Sequence, residues 1–290
     1  MSEFRDVSPE LRARLALERC GFHHTHSLGQ NFILDERLLG RLLDDCAVAP
    51  DDNVLEIGPG AGVMTRLIAM RAKAVLAVEI DRGLEPVLDE MLGDLDNARV
   101  LYRDFMKADV ARVAGEAFGG EPYRVIANLP YYITADILLR LVNCERPPES
   151  ICIMVQREAA ERIMSEPGSK QWCALAANLR FYGAASVLEE VPADAFDPPP
   201  HVTSCFIRID RQASPEVAPK DRALFLRVVN AAFAMRRKTL ANNLKAAFGL
   251  DQGAAADVLE RAGLDVRVRG EVLTLSELCR VADLLAESEG

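Results

Sequence analysis

Five short apolar runs alternate with helix-patterned segments through the first two-thirds of this chain, and that alternation restricts the fold more than any other feature. The runs fall at 53–57, 74–78, 99–102, 124–127 and 151–155, and helical spacing fills 63–71, 82–92, 134–142 and 157–164. Strand, helix, strand in repetition predicts βαβ units and a parallel sheet. Asp35 is placed to cap a preceding helix that carries Leu38, Leu39, Leu42, Leu43 and Cys46 and ends before Pro50. Beyond Trp172 two more strands are expected, near 186–189 and 204–209, on either side of the rigid stretch Phe196-Asp197-Pro198-Pro199-Pro200. From about Pro219 the pattern turns helical: Phe225, Val228, Val229, Ala232 and Phe233 share one face, and 258–264 and 275–285 read the same way. The expected division is an N-terminal extension over 1–24, either flexible or carrying a short helix, an α/β domain over 25–210, and a small all-α domain over 219–290.

Composition excludes several classes. The longest apolar runs are far too short to cross a bilayer. Residues 1–20 mix Glu3, Arg5, Asp6, Glu10, Arg12, Arg14, Glu18 and Arg19, which suits neither a signal peptide nor a transit peptide, so the expectation is a cytoplasmic protein. The seven cysteines are scattered and contain no C-x-x-C pair, so reduced, mostly core thiols are expected rather than a disulfide framework or a zinc site. His23, His24 and His26 crowd one polar stretch, but no carboxylate or cysteine cluster accompanies them, and no metal is expected. The net charge of −10 argues against a nucleic-acid partner. Local fields decide such binding, however, and Arg222, Arg227, Arg236, Arg237, Lys238 and Lys245 follow one another with no acid between them.

Glu56-Ile57-Gly58-Pro59-Gly60-Ala61-Gly62 follows a strand directly and opens a helix. Glycines there let the backbone turn sharply and approach a ligand at the carboxyl edge of a parallel sheet. Glu79 ends the next strand, where an acid can accept from both ribose hydroxyls of a nucleoside. A dinucleotide dehydrogenase would need glycine at position 63, which is Val63. G-x-G-x-G with an acid two residues ahead is the usual loop of S-adenosylmethionine methyltransferases, and Asp104 after the third strand is placed to accept from the cofactor's adenine amine.

Asn128-Leu129-Pro130-Tyr131 closes the fourth strand. An aryl amine is a poor nucleophile because its lone pair is delocalised into the ring. The Asn128 carboxamide oxygen and the Leu129 carbonyl could each accept one of its N–H bonds and favour the charge that develops on nitrogen. Pro130 would fix the carbonyl, and the Tyr131 ring would stack on the base.

Taken together, these residues resemble the rRNA adenine dimethyltransferase family. His26-Ser27-Leu28-Gly29-Gln30-Asn31-Phe32-Ile33-Leu34 is similar to the G-Q-N-F-L segment that opens its members. Residues 56–62, Glu79, Asp104, 128–133, 196–201 and Met235-Arg236-Arg237-Lys238-Thr239 follow in the family's order, covering roughly 25–285. The resemblance implies a Rossmann-like S-adenosylmethionine methyltransferase sheet with a C-terminal helical domain. It implies that Asn31 and Ile33 join Gly58, Gly60, Glu79, Asp104 and Asn128 around the cofactor, Ile33 standing where leucine is usual. Phe196 would form a second wall against the target base, with Tyr131, and Arg236, Arg237 and Lys238 would meet RNA phosphates. The implied substrate is a pair of adjacent adenosines in the 3′-terminal hairpin loop of small-subunit rRNA within the 30S subunit, each dimethylated by a monomeric enzyme. The alternatives are a macrolide-resistance type enzyme acting on large-subunit rRNA and a non-catalytic ribosome-assembly factor.

Overall fold

Strands form where the chain is apolar on both sides, and β1 (Asn53–Ile57) is buried along its whole length in the computed structural model, which describes residues 7–23 and 29–289. Before it come α1 (Pro9–Arg19) and α2 (Glu36–Asp45). After it come α3 (Val63–Ala69), β2 (Ala74–Glu79), α4 (Glu85–Leu92), β3 (Ala98–Tyr102), α5 (Val110–Phe118) and β4 (Arg124–Asn128). The chain continues with α6 (Thr134–Asn143), β5 (Ser150–Gln156), α7 (Arg157–Ile163), α8 (Ala174–Tyr182), β6 (Gly183–Val191) and β7 (Ser204–Arg211). Four helices close it: α9 (Arg222–Ala234), α10 (Leu240–Phe248), α11 (Gln252–Arg261) and α12 (Leu275–Glu289).

The seven strands form one sheet in the order β3-β2-β1-β4-β5-β7-β6. The first five run parallel to their neighbours, and β7 lies antiparallel to β5. All seven expected strands are present, so the α/β reading holds. Two expected helices are shorter or split: 63–71 ends at Ala69, and 82–92 begins as a tight turn over Arg82–Leu84 before α4. Register sets the site. Ile57 pairs with Val78 on one side and Ala127 on the other, so the next residues, Gly58, Glu79 and Asn128, stand in one row at the carboxyl edge.

The chain divides into two compact units, and not where composition places the boundary. The first takes the described residues up to Ala160 together with Ser186–Arg211; the second takes Glu161–Ala185 with the described residues from Gln212 onward. The difference from the expected 211–219 boundary has a packing cause. Trp172 is fully buried with its indole N–H donating to the Leu273 carbonyl at 3.1 Å, and Phe181 on α8 meets Phe225 on α9 with ring centroids 4.8 Å apart. These contacts recruit a segment that precedes β7 into the helical unit, which linear composition cannot reveal. Arg236, Arg237 and Lys238 are exposed in the turn before α10, whose cap is Thr239. Arg236 donates to the Lys170 carbonyl at 2.9 Å, while Arg237 and Lys238 make no ion pair among the described residues. No helix of the described residues is long and apolar enough to cross a membrane.

The N-terminal segment is helical and anchored over Pro9–Arg19. Ser8 caps α1 by accepting from the Leu11 N–H, and Ala13 and Ala16 are fully buried. Arg12, only 6% exposed, donates to the Glu90 carbonyl at 3.0 Å and reaches Asp94 at 3.0 Å. Arg66 on α3 grips the same carboxylate through two bonds of 2.7 and 2.8 Å, so one acid ties α1 to α3 and holds its own pKa well below the usual carboxylate range. Removing a buried charged donor strands its acceptors. Arg12→Ala is expected to lower the unfolding free energy by about 2–3 kcal/mol and to open residues near α1 to protease; urea titration and limited proteolysis check both.

Candidate active site

A cleft opens at the carboxyl edge of β1, β2 and β4, with about 1120 Å³ of empty space counted to its mouth. Its floor is the glycine loop. Gly60 adopts a left-handed φ of 54°, and a Cβ there would lie 2.9 Å from the Phe32 ring. Gly62, at φ 79°, caps α3, and a Cβ there would lie 2.9 Å from Leu88 on α4. Both positions therefore need glycine for conformation and for space. Phe32 is itself fixed by paired backbone hydrogen bonds of 2.8 Å to Asp197, and its ring meets Phe22 at 5.9 Å.

Two carboxylates define the polarity of the cleft. Glu79 is 5% exposed, and burial raises its pKa against the opposing backbone N–H groups of Asp81, Gly60 and Ile80. The Asp81 N–H donates to it at 2.7 Å, and Gln30 in turn donates to the Asp81 carboxylate at 2.7 Å. Glu56 is 1% exposed and burial pushes it up to about 8. Its carboxyl is buried beside Thr65 at the edge of the cleft. Asp104 sits two residues beyond the end of β3, half-exposed on the cleft, with one oxygen accepting from the Met106 N–H at 2.9 Å.

At the other end of the cleft Asn128 is oriented. Its side-chain nitrogen donates to the Asn31 carbonyl at 3.2 Å, which turns the carboxamide oxygen away as an acceptor. Leu129, Pro130 and Tyr131 follow along the cleft wall. The Pro130 carbonyl accepts from the Ile133 N–H at 3.2 Å, which turns the chain into α6. The Tyr131 hydroxyl lies 2.6 Å from Ser204 Oγ at the start of β7, and burial raises the phenol pKa.

The structure thus brings Asn31, Ile33, Gly58, Gly60, Glu79, Asp104, Asn128, Leu129, Pro130 and Tyr131 to one cleft. Phe196 is 4% exposed and packs in the same apolar cluster as Phe32 and Ile33, which line the cleft. His26, Ser27 and Leu28, the start of the opening motif, lie outside the described residues, as does His24. Among the described residues no group of three His, Cys, Asp or Glu side chains is placed to hold a metal. Sequence reading missed Phe22, Phe32, Gln30 and Ser204 as supports. Their partners lie far away along the chain, and only Gln30 and Phe32, inside the opening motif, carried any signal.

Comparison with known proteins agrees with this geometry. The family model for ribosomal RNA adenine dimethylase matches residues 21–286. The ribosomal RNA small subunit methyltransferase A of Geobacillus sp. strain WCH70 is 38% identical over 287 residues, covering 97% of this chain and 98% of that one. Among solved structures, a dimethyladenosine transferase from Plasmodium falciparum superposes with a TM-score of 0.69 at 22% identity, covering 87% of this chain and 95% of that one. The 23S rRNA methyltransferase ErmE superposes with a TM-score of 0.63 at 25% identity, covering 88% and 100%.

The buried Glu56 carboxyl gives a pH signature. Its folded-state pKa lies above the ordinary 4.5, so the folded chain holds a proton that the unfolded chain has released, and stability falls as pH rises from about 4.5 to about 8. Glu56→Gln lacks this titration. Its ligand-free Tm is expected to pull progressively above that of the wild type across this window and to hold a constant lead beyond it. Thermal melts at pH 5, 7 and 8.5 test this, and parallel curves would sink the assignment.

Proposed function

We propose that this chain, which belongs to the ribosomal RNA adenine dimethylase family, dimethylates the exocyclic amines of two adjacent adenosines in the 3′-terminal hairpin loop of small-subunit rRNA. As a member of that family it is an S-adenosylmethionine-dependent rRNA adenine dimethyltransferase. The small-subunit target follows from full-length relatives that carry that subunit in their names, and the adjacent pair of adenosines from the motif resemblance. The reading includes the 30S subunit as partner, a cytoplasmic location and a monomeric enzyme.

The observation that carries this reading is the orientation of Asn128. With its nitrogen occupied by the Asn31 carbonyl, the carboxamide oxygen is the group left to accept an N–H from an incoming amine. A second N–H would go to the Leu129 carbonyl. Two acceptors turn the amine's lone pair out of conjugation and favour the positive charge that grows on nitrogen. Tyr131, held by Ser204, offers the face on which the base stacks. The residues fit S-adenosylmethionine. Glu79 has carboxyl oxygens for ribose hydroxyls, and Asp104 an oxygen for the adenine amine. When bound, that donor supplies an electrophilic methyl on a sulfonium. Asn31 and Ile33 close the pocket from the side of the opening motif.

A loop substrate makes physical sense, since unstacked bases can be splayed into a pocket. In the second transfer the amine has one N–H left, so Asn128 and the Leu129 carbonyl cannot both be satisfied, and the monomethylated base must sit differently. The exposed Arg236, Arg237 and Lys238 stand at the start of a helix, where cations are slightly unfavourable for the helix itself, and this supports phosphate contact as their role.

Transfer of labelled methyl to undermethylated 30S subunits tests the reading, with 50S subunits alongside. Asn128→Ala is expected to reduce transfer by at least about 100-fold. Label in 50S instead would move the target to large-subunit rRNA, and donor binding without transfer to either particle would leave an assembly factor. Arg236→Ala combined with Arg237→Ala is expected to weaken RNA binding and flatten its salt dependence by about one to two units of log–log slope, with donor affinity unchanged.

A further inference from the structure

Tyr132 follows the catalytic tetrapeptide, and its ring is 66% exposed at the lip of the cleft. Isolated exposed apolar side chains are ordinary on a protein surface. This one is set apart by where it is braced. A Cβ built on Gly29 would lie 3.5 Å from its Cε1 and 3.2 Å from Pro130 Cβ, so one edge of the ring rests in the angle between the opening motif and the tetrapeptide. The residue is otherwise exposed, and it lines the same cleft as Asn128.

The other aromatic rings on the cleft are committed. Phe32 and Phe105 are 7% and 5% exposed, and Phe32 supports Gly60. Tyr131 is tethered through its hydroxyl to Ser204. Phe196 is 4% exposed in the same apolar cluster as Phe32. Among the described residues that line the cleft, Tyr132 is therefore the ring available to a group outside it.

A base drawn into the pocket leaves its stack and deprives its neighbour of a stacking partner. A single strand crossing the lip must present that neighbour next to Tyr132, because the strand continues outward from the target nucleotide. We propose that Tyr132 is a stacking platform for the nucleobase flanking the target adenine, an assignment that rests on the reading of this cleft as an adenine-methylating site. Every base has a π-face, so the contact adds RNA affinity without selecting the flanking base. It leaves Tyr131 free to hold the target itself.

The test uses the full-length protein and hairpin RNAs whose loop holds two adjacent adenosines, with 2-aminopurine replacing the nucleotide on one side or the other. Wild type and Tyr132→Phe should quench the probe on one side and share an RNA KM. Tyr132→Ala should lose the quenching and raise the RNA KM by roughly 10-fold, with donor affinity kept within about 2-fold. Quenching and RNA KM unchanged in Tyr132→Ala would overturn the platform while leaving the methyltransferase reading intact. So would a loss of donor affinity as large as the loss for RNA, which marks a structural role. Wild-type protein that binds donor but methylates neither these RNAs nor 30S subunits would overturn the underlying reading and this one with it.

Discussion

The reversal of strand order beside β1 is the constraint on which the rest depends. The chain adds β2 and β3 on one side of β1, then crosses back to add β4 and β5 on the other. Helices that follow β1 and β4 must therefore leave the sheet in opposite senses, and a crevice opens between them at the carboxyl edge. Everything chemical sits on that edge because register aligns Gly58, Glu79 and Asn128 there. Gly58, Glu79 and Asn128 thus stand side by side along one line, each at the end of its own strand. A shift of one residue in any pairing would turn the corresponding side chain to the other face of the sheet.

The two ends of the cleft carry different demands. At the β2 end, the Glu79 carboxyl is buried against backbone N–H groups and offers oxygens to a ligand's hydroxyls. At the β4 end, the proposed chemistry needs acceptors aimed at a neutral amine, so that they favour the positive charge growing on its nitrogen. The carboxamide meets that demand only because its donor half is occupied by the Asn31 carbonyl. The opening motif thus orients the catalytic group as well as walling the pocket.

The sheet and the cofactor loop were legible in the sequence because each leaves a local mark. Buried parallel strands are continuous apolar runs, and a backbone at φ 54° or 79° calls for glycine. Helix α5 also carried marks, Asp109 as its cap and Gly119 beyond its end, yet it is absent from the expected elements. What the sequence hid is non-local. Nothing near Tyr131 announces Ser204, nothing near Trp172 announces Leu273, and nothing near Asp94 announces the two arginines that share it.

The bridge between Phe32 and Asp197 also bears on how the protein comes into being. It joins the segment before α2 to one made after six of the seven strands have emerged, and it holds the ring against which Gly60 turns. Contacts of such long sequence separation form late, since the loop-closure entropy must be met before the contact rewards it. A nascent chain can assemble β1 to β5 and display Gly58, Glu79, Asp104 and Asn128 in order, yet Phe32 lacks its backbone partner until Asp197 has left the exit tunnel. The wall that Phe32 gives the glycine loop is therefore completed only after the residues that line the rest of the cleft have been made.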